Sequence, residues 1–276
     1  VICAVAIGYR AEEKSFNAVS IGSESVVDGI NGTAIGVSTR VGDYAAIALG
    51  YGSSGYGREA MALGSYASAE APRAIAIGFT AMGLDESAIA MGVDSSGLGP
   101  YTIAIGHHAT AGGKATVALG DNARAIISGS VALGEWSQTN VESGALGYIP
   151  SGKELTRDEK ASPTWTSTLA AVSVGNSEKG YTRQITNVAA GTLDTDAVNV
   201  AQLKALYSKV TKVAADSALT AGKNIRIDSI TDENTGVKTN TINLEDKVTL
   251  GDYRDGGTEV PVDGNVASVT AGSGDN

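Results

Sequence analysis

A single cysteine, Cys3, stands in 276 residues, so no disulfide within the chain staples the fold and stability has to come from packing or from assembly. Such scarcity is compatible with export but does not prove it. Aromatic residues are nearly as rare, at 5% with two Phe and two Trp, which leaves the core to small and β-branched side chains stacked closely. Basic charge is outweighed: 20 Lys and Arg against 30 Asp and Glu give a net charge of −10 and a pI near 4.7. That balance argues against a nucleic-acid partner, because phosphate contacts need clustered Lys and Arg, and it disfavours anionic membrane surfaces. There is no apolar run of about 18 residues and no signal-peptide pattern, so the chain is expected neither to span a membrane nor to carry its own address. Its opening, VICAVAIG, begins in mid-phrase, as a fragment of a longer array would.

What the chain has in abundance is glycine, 36 copies, and ten of these keep a fixed interval. Gly8, Gly22, Gly36, Gly50, Gly64, Gly78, Gly92, Gly106, Gly120 and Gly134 are spaced by fourteen residues without a slip. Such spacing is an internal repeat and marks a solenoid. One residue before each glycine stands Ile, Leu or Met, as in Ile77, Met91 and Ile105. Two before it stands Ala, with Ser20 as the one exception, and three before it a residue such as Val19, Ile75 or Ile103. Three after it the residue is always small, as in Ser25, Ala81 and Ala109.

Large apolar residues alternating with Ala read as a strand buried on both faces. Fourteen residues per turn accommodate two short strands and two turns, which predicts a narrow, two-sheeted parallel β-roll. Each coil should add ~4.8 Å, so ten coils make a rod of about 48 Å. In this reading the large set fills the roll interior against the small residues after each glycine, and the Ala set faces outward. The two faces could exchange roles, but both must be covered. A rod paved with Ala needs partners, so Ala76, Ala90, Ala104 and Ala118 are expected to pack against other copies of the chain. Positions one and two after the glycine vary freely, from Tyr9-Arg10 to His107-His108 and Glu135-Trp136, as an exposed presenting rim would.

The rhythm breaks after Gly134. GALG ends at Gly147 and VSVG at Gly175, separated by an insertion with two prolines and a charge run that reads as an extended loop or hairpin beside the last coil. Farther on, Asp194, Thr195 and Asp196 offer helix N-caps. Leu203, Leu206, Val210 and Val213 then follow at 3, 4, 3 spacing, with Val200, Leu203, Tyr207, Val210 and Ala214 as a competing seam. A helix of ~18 residues is marginal alone and needs partners. Beyond it, NIRIDSITDENTGVKTNTINLEDKVTLG alternates around Asp232-Glu233-Asn234-Thr235-Gly236 as a hairpin does. The Gly- and Asp-rich stretch from Asp252 reads as loose.

Asn17-Ala18-Val19-Ser20-Ile21-Gly22-Ser23-Glu24-Ser25 is close to the head phrase N-S-V-A-I-G-x-x-S of the trimeric autotransporter adhesins of Gram-negative bacteria, of the Yersinia adhesin type. Arg183-Gln184-Ile185-Thr186-Asn187-Val188-Ala189-Ala190-Gly191-Thr192, followed by Asp194 to Leu203, resembles their neck more closely still. The resemblance covers residues 1 to about 215. It implies a mainly β chain: a left-handed parallel β-roll head at 1–149, an insertion and last head coil at 150–182, a neck at 183–203, a trimeric coiled coil at 204–217 and a small β-hairpin module or stalk connector at 218–276. It also implies a homotrimer, with Val200, Leu203, Leu206 and Val210 at the stalk interface, on the bacterial outer surface. The membrane anchor of such proteins is absent from this stretch. Heads of this family bind collagen, fibronectin, laminin or a host cell receptor, and sometimes themselves.

Chemical motifs are sparse. Gly50-Tyr51-Gly52-Ser53-Ser54-Gly55 matches a dinucleotide fingerprint, but Gly50 belongs to the repeat and no amphipathic helix follows. His107 and His108 are the chain's two histidines; adjacent at a coil edge, they are expected to diverge and stay solvated, although a trimer could gather three copies. With one Cys and no third His, a catalytic triad or a zinc hydrolase lacks its parts. No catalytic, cofactor or metal site is expected. Tyr9, Arg10, Asn17, Ser25, Tyr51, Tyr66, Phe79 and Trp136 are the expected ligand contacts, the aromatics because they offer large area at low entropy cost; their alternative role is packing against a neighbouring coil. Three functions compete: an adhesin head, a passive spacer holding a distal tip away from the cell, and a hexapeptide-type acyltransferase. The period of fourteen decides against the last, whose coils keep about eighteen.

Overall fold

A computed structural model of the chain describes residues 3–149, 154–216, 225–231 and 238–244. These fall into two compact units, divided between Ala197 and Val198.

The first unit is a parallel β-solenoid. Three-residue strands such as Ile75–Ile77, Ile89–Met91 and Ile103–Ile105 stack in one eleven-stranded sheet, and two-residue strands such as Met82–Gly83 and Ser96–Gly97 stack in a nine-stranded sheet. Neighbouring strands pair in register at the repeat interval, Ala62 against Ala76, Ala76 against Ala90, Ala90 against Ala104. The period therefore becomes columns, and each sequence position owns one line down the roll.

The repeat glycine is fixed by two constraints. Gly92 sits at φ 135°, a conformation that side chains rarely adopt, and a Cβ there would stand 2.5 Å from the Gly106 carbonyl oxygen of the next coil. Only hydrogen fits.

The interior corrects the expected faces. Ala76, Ala90, Ala104 and Ala118 are all fully buried within the single chain, so they line the roll interior and present nothing to another copy. The large set lies outside: Ile35, Met91, Ile105 and Leu133 remain 37–40% exposed. Tight turns bring the two sheets so close that only small side chains fit between them. The deepest side chains are accordingly Ala, Ser and Thr, with Val27 and Val41 the largest by volume. Those two valines are matched by a deletion opposite, since a Cβ on Gly32 would meet Val41 Cγ1 at 2.7 Å and Val27 Cγ1 at 2.8 Å. Elsewhere the exchange runs the other way: Gly97 leaves room for Ala88 and Thr102. At these two places a glycine makes room for a larger buried neighbour.

Buried hydroxyls are satisfied locally. Ser25, Thr39, Ser53 and Ser95 each donate to the carbonyl of the glycine three residues earlier, at 2.9–3.1 Å. Thr102 does the same at the opposite turn, to Gly99, at 2.8 Å.

Where the rhythm breaks, one coil has been enlarged. Gly134 to Gly175 spans 41 residues against fourteen elsewhere, yet Val172–Ser173 still joins the long sheet, Val172 opposite Val131 and Ser173 opposite Ala132. VSVG thus makes a coil strand. GALG does not: Leu146 forms an antiparallel bridge with Thr166, and the excursion carries a short helix, α1 (Arg157–Ala161), closed by a capping box between Thr156 and Glu159. The antiparallel bridge fits the expected hairpin; the helix was not foreseen.

The second unit holds a 17-residue helix, α2 (Val200–Asp216), and an antiparallel strand pair, Ile225–Thr231 with Lys238–Leu244. Asn199 caps α2. Its Oδ1 accepts from the Gln202 N–H at 3.1 Å while Gln202 Oε1 accepts from the Asn199 N–H at 3.2 Å, a reciprocal cap. The expected caps are corrected accordingly. Asp196 instead closes the preceding turn, its Oδ2 accepting from the N–H groups of Thr192 and Leu193 at 2.8 and 2.9 Å. These donors hold its carboxyl below the usual carboxylate range. The two strands agree with the alternation around residues 232–236; those turn residues, and the stretch from Asp252, lie outside the described residues.

Candidate binding surface of the roll

Each coil turns two corners, and both place a residue in the left-handed backbone region. In the coil of Gly78 these are Thr80 at φ 53° and Ser87 at φ 54°, each followed by a turn hydrogen bond, Ala81 N–H to Gly78 and Ala88 N–H to Asp85. At the first corner this twist aims the side chains one and two after the glycine outward together. Successive coils then set them into ladders.

Tyr51, Tyr66 and Phe79 form one such ladder across three coils, with edge-to-face ring centroids 5.2 and 6.2 Å apart. All three keep about half their surface exposed. Such packing is worth about 0.5–1.5 kcal/mol per pair beyond burial, so the ladder is rigid as well as accessible; contact with a neighbouring coil and availability to a ligand coexist. At one end of the roll Arg10 lies 5.2 Å above the Tyr9 ring. At the other, Trp136 meets Tyr181 edge-to-face at 6.4 Å and carries the Lys179 ammonium 4.1 Å above its ring.

Two expected contacts do not belong with these. Ser25 is fully buried and spends its hydroxyl on Gly22 and Ser20, because the third residue after the glycine points into the roll. Asn17 is exposed but stands at the second corner, its amide donating to Asn31 in the next coil at 3.1 Å. The second corner also presents exposed side chains that counting from the repeat glycine overlooked: Phe16, Ile30, Tyr44 and Tyr101. Their signal was available, since Asn17, Asn31 and Tyr101 recur seven residues out of phase with the first corner. Tyr101 donates its phenol to Glu86 at 3.1 Å, which raises the phenol pKa, and Glu86 also pairs with Arg73.

The histidines converge. Their ring centroids are 3.9 Å apart because His108 is left-handed, at φ 53°, which undoes the divergence expected of neighbours. His107 Nδ1 lies 2.7 Å from Asp121 Oδ1, and this contact lowers the Asp121 pKa. Gly50 to Gly55, the nominal nucleotide loop, is spent on a corner and the short strand Ser54–Gly55.

A model of the head domain repeat of the adhesin YadA matches residues 15–39, 28–53, 56–81, 98–123 and 111–135, and a model of the coiled stalk of trimeric autotransporter adhesin matches residues 184–226. Together they cover more than half of the chain. It belongs to the trimeric autotransporter adhesins. Among adhesins of this kind, BadA of Bartonella henselae is 54% identical over 76 residues, 28% of this chain, and AtaA of Acinetobacter is 40% identical over 94 residues, 34% of this chain. The chain spans about 2% of the length of each of these relatives. The crystal structure of the collagen-binding domain of Yersinia adhesin YadA superposes with a TM-score of 0.52 at 26% identity, covering 75% of this chain and 99% of that one. The stacked coils are thus an adhesin head in architecture. The helix α2 falls within the stalk match, and Val200, Leu203, Leu206 and Val210 are 57–67% exposed along it. Among the described residues no helix is long and apolar enough to cross a membrane.

Proposed function

We propose that this chain is the head and upper stalk of a homotrimeric bacterial surface adhesin, binding extracellular-matrix proteins by repeated non-catalytic contacts. The observation that carries the reading is the likeness of nearly all of the collagen-binding YadA domain to this chain. Collagen is therefore the first ligand to test; fibronectin, laminin and a host cell receptor follow by family resemblance. The ladders suit an elongated ligand, since modest contacts repeated along one rod and over three chains multiply by effective concentration.

Trimerisation in this proposal rests on the large set. The outer face of the long sheet is an apolar strip, and covering one of its isoleucines would remove roughly 60 Å² from water, about 1.5 kcal/mol. The stalk residues Val200, Leu203, Leu206 and Val210 continue the association as a coiled-coil seam.

The spacer reading is favoured by one fact, the small share of its relatives' length that the chain represents. Solid-phase binding of the chain to collagen, fibronectin and laminin separates the two, alongside a variant lacking residues 65–92, two whole coils. An adhesin head binds at least one of these proteins, and the deletion lowers affinity in a graded way while the trimer persists. Binding to none of them leaves the spacer role.

A further inference from the structure

We infer that Asp94, His107 and His108 form a site for a divalent first-row transition ion, with Asp121 as the positioning residue. Each of the first three offers a ligand atom, and these atoms lie within 4.8 Å of one another. Two imidazoles and a carboxylate are a donor set that suits zinc, copper or nickel rather than magnesium or calcium. In a tetrahedral zinc site ligand atoms stand ~3.3 Å apart, as bonds of ~2.0–2.1 Å require. His108 Nε2 is 3.9 Å from Asp94 Oδ2, so the gap closes by side-chain rotation at an exposed rim, and water completes the coordination.

The surroundings carry the inference further than the three ligands do. Asp121 engages Nδ1 of His107 at 2.7 Å, which leaves Nε2 for the ion, the arrangement by which ligating histidines are commonly oriented. Asp121 is itself held by the Asn122 amide at 2.8 Å. On the other side the Thr80 hydroxyl donates to Asp94 Oδ1, turning Oδ2 toward His108. Thr80, Asp94, His107 with His108, and Asp121 with Asn122 belong to four successive coils, so parallel stacking builds a supported site from residues fourteen apart. Arg124 and Lys179 line the shallow depression that His108 shares, Lys179 being drawn over the Trp136 ring.

The test uses the untagged 276-residue chain, whose only imidazoles are these two. Titration with zinc by calorimetry should give one ion per chain with a micromolar dissociation constant, and cobalt should produce a visible ligand-field band that zinc abolishes. His107→Gln and His108→Asn, the latter suited to the left-handed backbone, should each weaken zinc binding at least tenfold without changing circular dichroism. Asp121→Asn should weaken it roughly 10-fold while stoichiometry and cobalt band persist. Absence of binding at 1 mM zinc, or binding unchanged in the histidine double variant, overturns the site. This result is independent of whether the head binds collagen.

Discussion

Arg183 stands against Gly134 where a further coil would place its own backbone. The guanidinium carbon lies 3.1 Å from the position of a Cβ on Gly134, whereas the corresponding neighbour of Gly106 is the carbonyl of Gly120. Along the roll, the carbonyl one residue after each glycine accepts from the coil beyond, as Asp121 does from the Trp136 N–H at 2.9 Å. Glu135 accepts instead from Arg183 Nη2 at 2.5 Å, and Nη1 reaches Val174 O at 2.6 Å and Ser137 Oγ at 3.1 Å. One side chain supplies the donors that the end of the solenoid lacks. Lysine, with a single ammonium, would not span the three acceptors.

Arg183→Met should therefore fray this end of the roll. Amide exchange is expected to accelerate at residues 134–139 and 172–175 while residues 47–92 keep their protection, with a loss of about 1–3 kcal/mol. Uniform acceleration through the roll would mean that the arginine does not act as an end cap.

The exchange of faces makes opposite predictions for two residues in one strand. Ala76→Leu should destabilise the coil itself by about 1–3 kcal/mol through overpacking. Ile75→Glu combined with Ile89→Glu should spare the coil but disrupt assembly. Sedimentation equilibrium at micromolar concentration should find a trimer for the wild type and smaller species for the double glutamate variant, with β circular dichroism retained. A folded wild-type monomer would sink the proposed assembly.

The close approach of Gly32 to Val27 and Val41 predicts a rescue. Gly32→Ala alone should cost about 1–3 kcal/mol, because its methyl meets two valine methyls and, at 2.9 Å, the Gly29 carbonyl oxygen. Added to Val27→Ala and Val41→Ala, it should cost less than alone, a coupling readable from denaturant midpoints. Strict additivity would show that the valines and the glycine do not share one space.

Asp196 gives a pH dependence of known sign. Its carboxyl is held below the ordinary range in the folded chain, so its stabilisation is complete above about pH 5 and fades as pH falls through 4 toward the lowered value. Asp196→Asn should flatten that part of the profile. The thermal midpoint, followed from pH 6 to pH 2 in both proteins, checks it.

The strand columns and the repeat glycine were legible because period and pairing register are the same number. The direction of each face was not read correctly, although the signal was present. Ala76 two before the glycine and Ala81 three after it are both small, and two small sets can only face each other across a narrow gap. The aromatic rim was found from Tyr51, Tyr66 and Phe79 in sequence, but the ladder depends on backbone twist at Tyr66, φ 58°, which composition does not announce. For the same reason His107 and His108 could not be seen to meet. Asn199 was overlooked as a cap because three other capping residues, Asp194, Thr195 and Asp196, precede it.

The enlarged coil shows what such a scaffold tolerates. Between Thr139 and Val172 the chain leaves the roll, folds a helix of its own and returns to the register it left, Val172 beside Val131. The second corner of any coil is an equivalent exit, since columns are indifferent to what lies between two of their members. Foreign segments of several dozen residues could be grafted there, one per storey, and displayed along a common axis without redesigning the frame.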